Sequence, residues 1–298
     1  MIDTKTGVLP PGVHTAIVTP FINGMVDMLS YIKLLEIQLS SRVSGVVVLG
    51  TTGEAPTVNA KERDALITES VKILKGRKTV TVGCGGNDTA SVCKKVKRAA
   101  ELGADFVLVV TPYYNKPSQR GLLRHFITVA DASDVPVVVY NVPSRTGVDI
   151  SAETLSVLAS HPNIVACKEA SSDIKSVTDK LAPANIDVFC GCDELLPPFL
   201  SLGAKGAVSV CSNTDPDRTC EIFNRYGKGD TNGAKDAFYA LYPYLKALGC
   251  DTNPVPVKAV MAAMGLISDE VRAPLCRLSN EKKPSLLYAA AECGIYIK

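Results

Sequence analysis

The chain has 298 residues, of which 46% are hydrophobic and 21% charged, a composition typical of a globular protein and not of a disordered or fibrous one. Its 32 Lys and Arg residues nearly balance 30 Asp and Glu residues, leaving a net charge of +2. No run of basic residues is long enough to bind the phosphate backbone of a nucleic acid. Nucleic acid is therefore not expected as a partner, and the apolar runs are too short to span a membrane.

Short runs rich in Val and Ile recur along the chain and predict eight β-strands. Continuous apolar runs of this kind suit strands that are buried on both faces, as in a parallel sheet covered by helices. In chain order the predicted strands are His14–Phe21, Gly45–Gly50, Thr79–Cys84, Phe106–Thr111, Pro136–Tyr140, Ile164–Lys168, Asp187–Gly191 and Gly206–Cys211.

Segments with helical periodicity lie between these strands. Asn59 and Glu62 form the pattern of a capping box, which predicts the start of a helix over Ala60–Leu74. Several helical segments end at a glycine, which suits a left-handed C-terminal cap. Further helices are predicted over Thr89–Leu102, Gln119–Ala132, Ser151–Ser160, Ile174–Leu181, Leu195–Leu202 and Pro216–Tyr226.

The alternation of strands and helices predicts an α/β fold, a (β/α)8 TIM barrel with a C-terminal helical extension. A doubly wound open sheet is the alternative, and the near-even spacing of the units favours the barrel. We expect the barrel to cover residues 1–227 and the extension residues 228–298. Helices of the extension are predicted near Thr231–Leu248, Pro254–Met264 and Pro284–Cys293.

The N-terminal segment, residues 1–12, has neither the apolar core of a secretory signal nor the pattern of a transit peptide, so a cytoplasmic location is expected. Among the ten cysteines, Cys190 and Cys192 form the one close pair. A single C-x-C pair is weak support for zinc, because structural zinc sites usually present two pairs with the spacing C-x2–4-C. The cysteines are interpreted as reduced, buried thiols, and no metal is expected.

Active sites of (β/α)8 barrels form at the C-terminal ends of the strands, and the predicted strand Ile164–Lys168 ends in a lysine. A buried ammonium is costly unless it meets a carboxylate or reaches solvent, which is the structural interpretation of Lys168. The chemical interpretation is Schiff-base formation with a carbonyl substrate, which requires a neutral amine. At pH 7 an ordinary lysine is neutral in only about one molecule in 2,500. Because burial disfavours the charged form, a buried lysine is expected to have a much larger neutral, nucleophilic fraction.

Other predicted strand ends also carry polar groups. Gly50-Thr51-Thr52-Gly53-Glu54 offers hydroxyls and backbone N–H groups that can hold a small anion. The phenols of Tyr114 and Tyr140 can move protons beside a lysine, and Arg145 can clamp a carboxylate through two parallel hydrogen bonds. Taken singly, each of these residues equally suits an ordinary role in a turn, in packing or in a solvated loop.

Taken together, four motifs in this order and spacing closely resemble the dihydrodipicolinate synthase (4-hydroxy-tetrahydrodipicolinate synthase) family. The motifs are Gly50-Thr51-Thr52-Gly53-Glu54, Tyr113-Tyr114-x-Lys116-Pro117, Tyr140-Asn141-Val142-Pro143-x-Arg145-Thr146 and Lys168-Glu169-Ala170. The resemblance covers nearly the whole chain and includes Asn253-Pro254-Val255-Pro256-Val257-Lys258. It implies a lyase of the diaminopimelate route to lysine that condenses pyruvate with L-aspartate 4-semialdehyde through a lysine Schiff base, without a cofactor.

The resemblance also implies which residues carry the chemistry. Lys168 matches the lysine that forms the imine with pyruvate, and Thr51, Tyr114 and Tyr140 match a proton-relay triad. In the family, the tyrosine matched by Tyr114 reaches into the site of a neighbouring subunit. The resemblance therefore implies a catalytic dimer, commonly within a homotetramer that is a dimer of dimers.

Four further residues match substrate-binding positions of the family. Thr52 matches the residue that binds the pyruvate carboxylate, and Arg145 the residue that binds the carboxylate of the semialdehyde. Gly191 and Val208 match positions that line the pyruvate pocket. One cation, several hydroxyl donors and a neutral amine would complement two anionic substrates without a metal.

In many bacterial members, lysine inhibits by binding at the dimer interface beside an asparagine that is matched here by Asn87. The acidic residue that those members carry four positions after this asparagine is Ser91 here, and the positions usually held by His are Ala60 and Arg63. Compared with those members, the site would offer the cationic lysine ligand no carboxylate at Ser91 and would place the positive charge of Arg63 near it. Lysine inhibition is therefore predicted to be weak or absent.

Other functions on this scaffold make different demands. N-acetylneuraminate lyases and 2-keto-3-deoxy sugar acid aldolases share the lysine and a tyrosine, but usually carry Ser at the position of Thr51 or lack a basic residue at that of Arg145. A non-catalytic keto-acid sensor would lose the nucleophile or the relay. A dinucleotide oxidoreductase would need a third glycine at Asp88 after Gly83-Cys84-Gly85-Gly86. These comparisons favour the synthase.

Overall fold

The computed structural model describes residues 7–182 and 185–298 and contains a closed barrel of eight parallel strands. The (β/α)8 prediction is confirmed, and the doubly wound alternative is wrong. The strands are β1 (Gly12–Ala16), β2 (Phe21–Ile22), β3 (Met25–Val26), β4 (Gly45–Val48), β5 (Thr79–Gly83), β6 (Phe106–Val110), β7 (Val137–Asn141), β8 (Ile164–Glu169), β9 (Asp187–Cys190) and β10 (Gly206–Ser209). β2 and β3 form a small antiparallel hairpin, and the other strands pair in chain order until β10 closes on β1.

Helices cover the outside of the barrel and form the C-terminal extension. α2 begins at the predicted capping box, in which the Asn59 side chain accepts from the Glu62 N–H and the Glu62 carboxylate accepts from the Asn59 N–H. The helices are α1 (Met28–Ser40), α2 (Ala60–Leu74), α3 (Thr89–Glu101), α4 (Gln119–Asp131), α5 (Pro143–Thr146), α6 (Ala152–Ala159), α7 (Ile174–Leu181), α8 (Leu196–Ser201), α9 (Pro216–Gly227), α10 (Thr231–Ala247), α11 (Val255–Ala263) and α12 (Lys283–Glu292).

The start of the chain differs from the prediction. The predicted strand His14–Phe21 leaves the barrel after Ala16, and Phe21 belongs to the hairpin instead. The sequence did not predict α1, which begins where the Asp27 side chain caps the Ser30 N–H.

Side chains of the barrel strands alternate between the helices and the barrel interior. On β1, the Thr15 hydroxyl donates to Gln38 of α1 at 2.6 Å, whereas the His14 ring packs edge-on against Phe189 of β9. The interior is filled by apolar side chains, among them Leu108 and Val138. Since the barrel is packed and not open, a site must lie where the strands end.

The C-terminal extension shares its apolar core with the barrel. Tyr244 of α10 and Val260 of α11 belong to the same buried cluster as Phe199 of α8 and Cys190 of β9. α9 ends at Gly227 and α10 begins at Thr231, so we propose the boundary at residues 227/228 as the end of the barrel repeat, without independent folding of the extension. In the described ranges, none of the helices is both long and apolar enough to cross a membrane.

Candidate active site

Lys168 lies near the C-terminal end of β8, with only 6% of its surface exposed. Tyr140 is its register partner on the neighbouring strand β7, and the Lys168 Nζ lies 4.2 Å from the centroid of the Tyr140 ring. The strand pairing therefore brings together the two residues that end the fifth and sixth predicted strands. An amine at this distance lies within reach of the phenol ring for a cation–π contact.

Gly191 and Val208 complete this end of the interior. A Cβ atom at Gly191 would lie 3.0 Å from the Lys168 Cε and 2.7 Å from the Ala170 Cβ, so only glycine leaves room for the lysine side chain. Val208, on β10, is buried in the interior apolar cluster that also includes Tyr140. The lysine side chain thus lies directly over Gly191, on the side of the barrel end that also carries Ala170.

The turn after β4 carries Thr51 and Thr52. β4 lies four strands from β8 in the eight-stranded ring, so this turn faces the Lys168 strand across the mouth of the barrel. The turn is closed by hydrogen bonds from the Gly53 N–H to the Gly50 carbonyl and from the Glu54 N–H to the Thr51 carbonyl, each 3.1 Å long. Thr52 is buried, whereas Thr51 is partly exposed.

Asn253, in the C-terminal extension, contacts both residues predicted to bind carboxylates. Its side-chain Nδ2 donates to the Thr52 Oγ1 at 2.9 Å, and its backbone carbonyl oxygen accepts a longer bond from the exposed Arg145 guanidinium at 3.4 Å. The sequence pointed to Asn253 only through the motif that it begins. Its partner Thr52 is 201 residues away in the chain, which no local pattern reveals.

Tyr114 does not join the Lys168 pocket of its own chain. It is 89% exposed and has a backbone φ of 72°, and nearby Lys116 has a φ of 45°. Left-handed backbone at two residues that bear side chains is unfavourable and is typical of loops shaped by function. The loop after β6 thus presents the phenol to solvent.

A buried polar network lies on the outer face of the same two strands. Glu169, next to Lys168, accepts hydrogen bonds from the Asn141 Nδ2 at 2.9 and 3.0 Å and from the Ser171 N–H at 2.8 Å. Lys180 of α7 lies 3.1 Å from the Glu169 carboxylate and 2.6 Å from that of Asp149. Burial raises the pKa of Glu169, although Lys180 and Asn141 favour its charged form. The network fixes the ends of β7 and β8 from outside.

The turn after β9 carries a partly buried carboxylate. Asp193 accepts hydrogen bonds from the Val210 and Cys211 N–H groups at 2.8 and 2.9 Å, which joins this turn to the end of β10. Burial raises the pKa of the neighbouring Cys192 thiol to about 11. A raised pKa favours the neutral thiol of Cys192 over the thiolate, which is the nucleophilic form.

The assembled groups are of the kinds that Schiff-base chemistry requires. The Lys168 amine lies beside the Tyr140 phenol ring. The Thr52 hydroxyl belongs to the turn on the opposite side of the barrel end, and the Arg145 guanidinium is exposed at its rim. Such groups suit a small anionic carbonyl compound, because hydroxyls and a guanidinium bind carboxylates and a lysine amine attacks carbonyl carbon.

Comparison with known proteins agrees with the family resemblance of the sequence motifs. The sequence profile of the Dihydrodipicolinate synthetase family matches residues 9–292. The 4-hydroxy-tetrahydrodipicolinate synthase of Thermodesulfovibrio yellowstonii is 42% identical over 286 residues, which cover 95% of this chain and 98% of that protein.

Solved structures agree over the same length. The dihydrodipicolinate synthase of Thermotoga maritima has a TM-score of 0.95 and 41% identity, over 96% of this chain and 99% of that one. The synthase of Cyanidioschyzon merolae, solved with lysine bound, has a TM-score of 0.93 and 33% identity, over 96% and 99%. By its profile match, its relatives and its fold, this chain belongs to the dihydrodipicolinate synthetase family.

Proposed function

We propose that the chain is a lyase of lysine biosynthesis, a 4-hydroxy-tetrahydrodipicolinate synthase that condenses pyruvate with L-aspartate 4-semialdehyde. The observation that carries this proposal is the buried Lys168 beside Tyr140 at the C-terminal end of the barrel. Near-complete coverage by curated relatives of that name supports it.

In the first half of the reaction, the neutral Lys168 amine adds to the C2 carbonyl of pyruvate. Loss of water from the adduct leaves a protonated imine on the lysine, and Tyr140, whose ring lies against the amine, is placed to accept and return protons. By resemblance, Thr51 continues the relay from Tyr140. Burial of Lys168, which is 6% exposed, favours this step because a positioned amine meets the carbonyl with little competition from bulk water.

In the second half, the protonated imine draws electrons from the C3–H bond, and loss of that proton gives an enamine. The enamine carbon attacks the aldehyde of the semialdehyde, whose oxygen takes up a proton and becomes the hydroxyl of the product. The amino group of the semialdehyde then displaces the lysine amine from C2, which closes the ring and releases Lys168. Pyruvate and the semialdehyde thus yield the cyclic product and one water, and the imine itself is the electron sink.

Thr52 and Arg145 are proposed to bind the substrate carboxylates. Since the Thr52 Oγ1 already accepts a hydrogen bond from Asn253, its own O–H is free to donate to the pyruvate carboxylate. Arg145 is exposed at the rim, where the second substrate enters, and its planar guanidinium suits a bidentate pair with a carboxylate. Both assignments follow the family resemblance.

The proposed enzyme is a homo-oligomer in which Tyr114 completes the site of a second copy. Its 89% exposure and left-handed backbone suit a side chain that is held out for a partner. A tetramer built from two such dimers is proposed from the resemblance. Ten free thiols support a reducing compartment, and we propose the cytoplasm.

Borohydride reduction with pyruvate tests the proposal directly. Reduction traps the imine as a stable adduct, and peptide mass spectrometry should locate it on Lys168 in the wild type and on no residue in Lys168→Ala. The buried Lys180 and Lys258 are internal controls that should stay unmodified. Wild-type protein without an adduct on Lys168 would overturn the proposal, and trapped enzyme that prefers sugar aldehydes to the semialdehyde would reassign the second substrate.

A further inference from the structure

Lys258, on α11 of the C-terminal extension, is completely buried and has no part in the proposed chemistry. Its Nζ donates to the Glu54 Oε1 at 2.7 Å and to the Thr19 carbonyl at 2.9 Å, and it lies 4.4 Å from the centroid of the Phe21 ring. Glu54 is also buried, with 3% exposure. Two opposite charges out of water are held only where their geometry is fixed, because each unpaired charge would be costly.

Glu54 is the last residue of the turn that carries Thr51 and Thr52. Its φ is 51°, a left-handed conformation that residues with side chains rarely adopt. Both of its carboxylate oxygens are engaged by the extension, Oε1 by Lys258 and Oε2 by the Arg272 N–H at 3.0 Å. The side chain therefore anchors a strained backbone position two residues after Thr52, in the turn that carries the proposed substrate-binding residue.

Arg272 fixes the segment that follows the turn. Its guanidinium donates to the Thr57 carbonyl at 2.7 Å and to Glu62, in the first turn of α2. It also stacks over Phe21, with 4.3 Å between the guanidinium carbon and the ring centroid. The extension thus holds the chain at Glu54 and again at Thr57, so the turn cannot move as an independent loop.

We propose that Glu54 and Lys258 are positioning residues whose ion pair keeps the Thr51–Thr52 turn in place to bind the carboxylate of pyruvate. The C-terminal extension is then a part of the pyruvate site, although it supplies no group to the imine. This inference rests on the proposed function. It predicts a defect in the pyruvate half of the reaction and not in the semialdehyde half, since the imine forms before the second substrate reacts.

Kinetics of Lys258→Met, Glu54→Gln and the double variant test the inference, with Arg98→Met as the control for a surface pair with Asp64. Each single change leaves a buried charge unpaired, whereas the double change removes both, so the Tm should fall in the single variants and partly recover in the double variant. We expect kcat/KM for pyruvate to fall about tenfold or more in all three variants. We expect kcat/KM for the semialdehyde to stay within about twofold.

The double variant separates positioning from stability. If its kcat/KM for pyruvate returns to the wild-type value together with the Tm, or if both substrates are affected equally, the pair is only structural and the inference is wrong. Glu54→Gln keeps the volume of the side chain, so it allows the same comparison if the Lys258 variants do not fold. Failure of the wild type to trap pyruvate would refute the proposed function instead, because that result does not depend on the ion pair.

Discussion

Gly191 sets the space available to the Lys168 side chain. In Gly191→Ala the new Cβ would lie 3.0 Å from the Lys168 Cε and 2.7 Å from the Ala170 Cβ, so the lysine must shift from its position over Tyr140. We expect kcat/KM for pyruvate to fall by about 10- to 100-fold, as misplaced reacting groups do. Gly249→Ala, where a Cβ meets no atom within 4 Å, should match the wild type. Unchanged pyruvate kinetics in Gly191→Ala would contradict this account.

Arg63 and Lys95 place positive charge beside the segment that the resemblance connects with lysine inhibition. The Arg63 Nη2 donates to the Gly83 carbonyl at 3.0 Å and to the Cys84 Sγ at 3.2 Å, and the Lys95 Nζ lies 3.4 Å from the Gly85 carbonyl. The ammonium group of a bound lysine ligand would be repelled by these cations, and Ser91 offers it no carboxylate. Inhibition by lysine should therefore be weak or absent. Titration of initial rates with lysine measures this, and half-inhibition below about 1 mM would contradict it.

At the residue scale, the sequence indicated which side chains to consider, but it did not indicate which of them lie in contact. The position of Lys168 at a strand end was visible in its apolar run, but the contact with Tyr140 depends on strand register. Asn253 and Lys258 were visible as part of a motif, yet their partners Thr52 and Glu54 lie more than 200 residues away, with separations of 201 and 204. Contacts at such separations depend on how the extension folds back, which periodicity does not encode.

At the scale of elements, the pairing of β7 with β8 has two chemically different faces. Tyr140 and Lys168 are one register pair, and the next pair, Asn141 and Glu169, belongs to the outer polar network. Glu169→Gln removes a charge that faces the buried Lys180, which keeps Asp149 as its second partner, so the change should destabilise the protein by about 1–3 kcal/mol. Urea denaturation measures this change.

The same variant should lower kcat, because the register of β7 and β8 fixes the distance between the amine and the phenol. Glu101→Gln, at an exposed pair with Arg98, is the matched control and should change stability by less than about 1 kcal/mol. Equal stability changes in the two variants would show that the buried network does not hold these strands.

The error at the first predicted strand has a physical cause. Ile17 and Val18 are as buried as strand residues, with 1% and 0% exposure, so their pattern predicts a strand. However, the Val18 N–H donates to the Asn213 side chain at 3.1 Å instead of a neighbouring strand. Pro20 has no N–H to continue a ladder. Apolar patterning reports burial, and it cannot distinguish a paired strand from a buried loop whose N–H groups bind side chains.

At the scale of the whole molecule, two buried histidines should make stability depend on pH. Burial lowers the pKa of His14 to about 4, and burial also lowers that of His125 to about 4, from an ordinary value of 6.5. Between pH 6.5 and 4 the unfolded chain therefore binds more protons than the folded one. The stability that neutral histidines contribute is complete above pH 6.5 and is lost as the pH falls, by up to about 1.4 kcal/mol per histidine and pH unit.

Urea denaturation at pH 7 and pH 5 measures this loss in the wild type and in His125→Gln. The variant lacks one of the two groups, so its stability should fall less between the two pH values. The difference between the two proteins isolates the histidine from the carboxylates that titrate in the same range. Identical losses in the two proteins would contradict the assignment to His125.

The whole-molecule fold was the most predictable level, since eight repeats of one pattern leave few topologies. The exposed position of Tyr114, by contrast, has a consequence for the proposed oligomer, in which this residue would complete the site of a second copy. If each site takes its lysine from one chain and its second tyrosine from another, then Tyr114→Phe and Lys168→Ala are defects that lie in different subunits. Two preparations that are each nearly inactive should regain activity by complementation when their subunits are unfolded together and reassembled, because a mixed pair contains one site with both native residues.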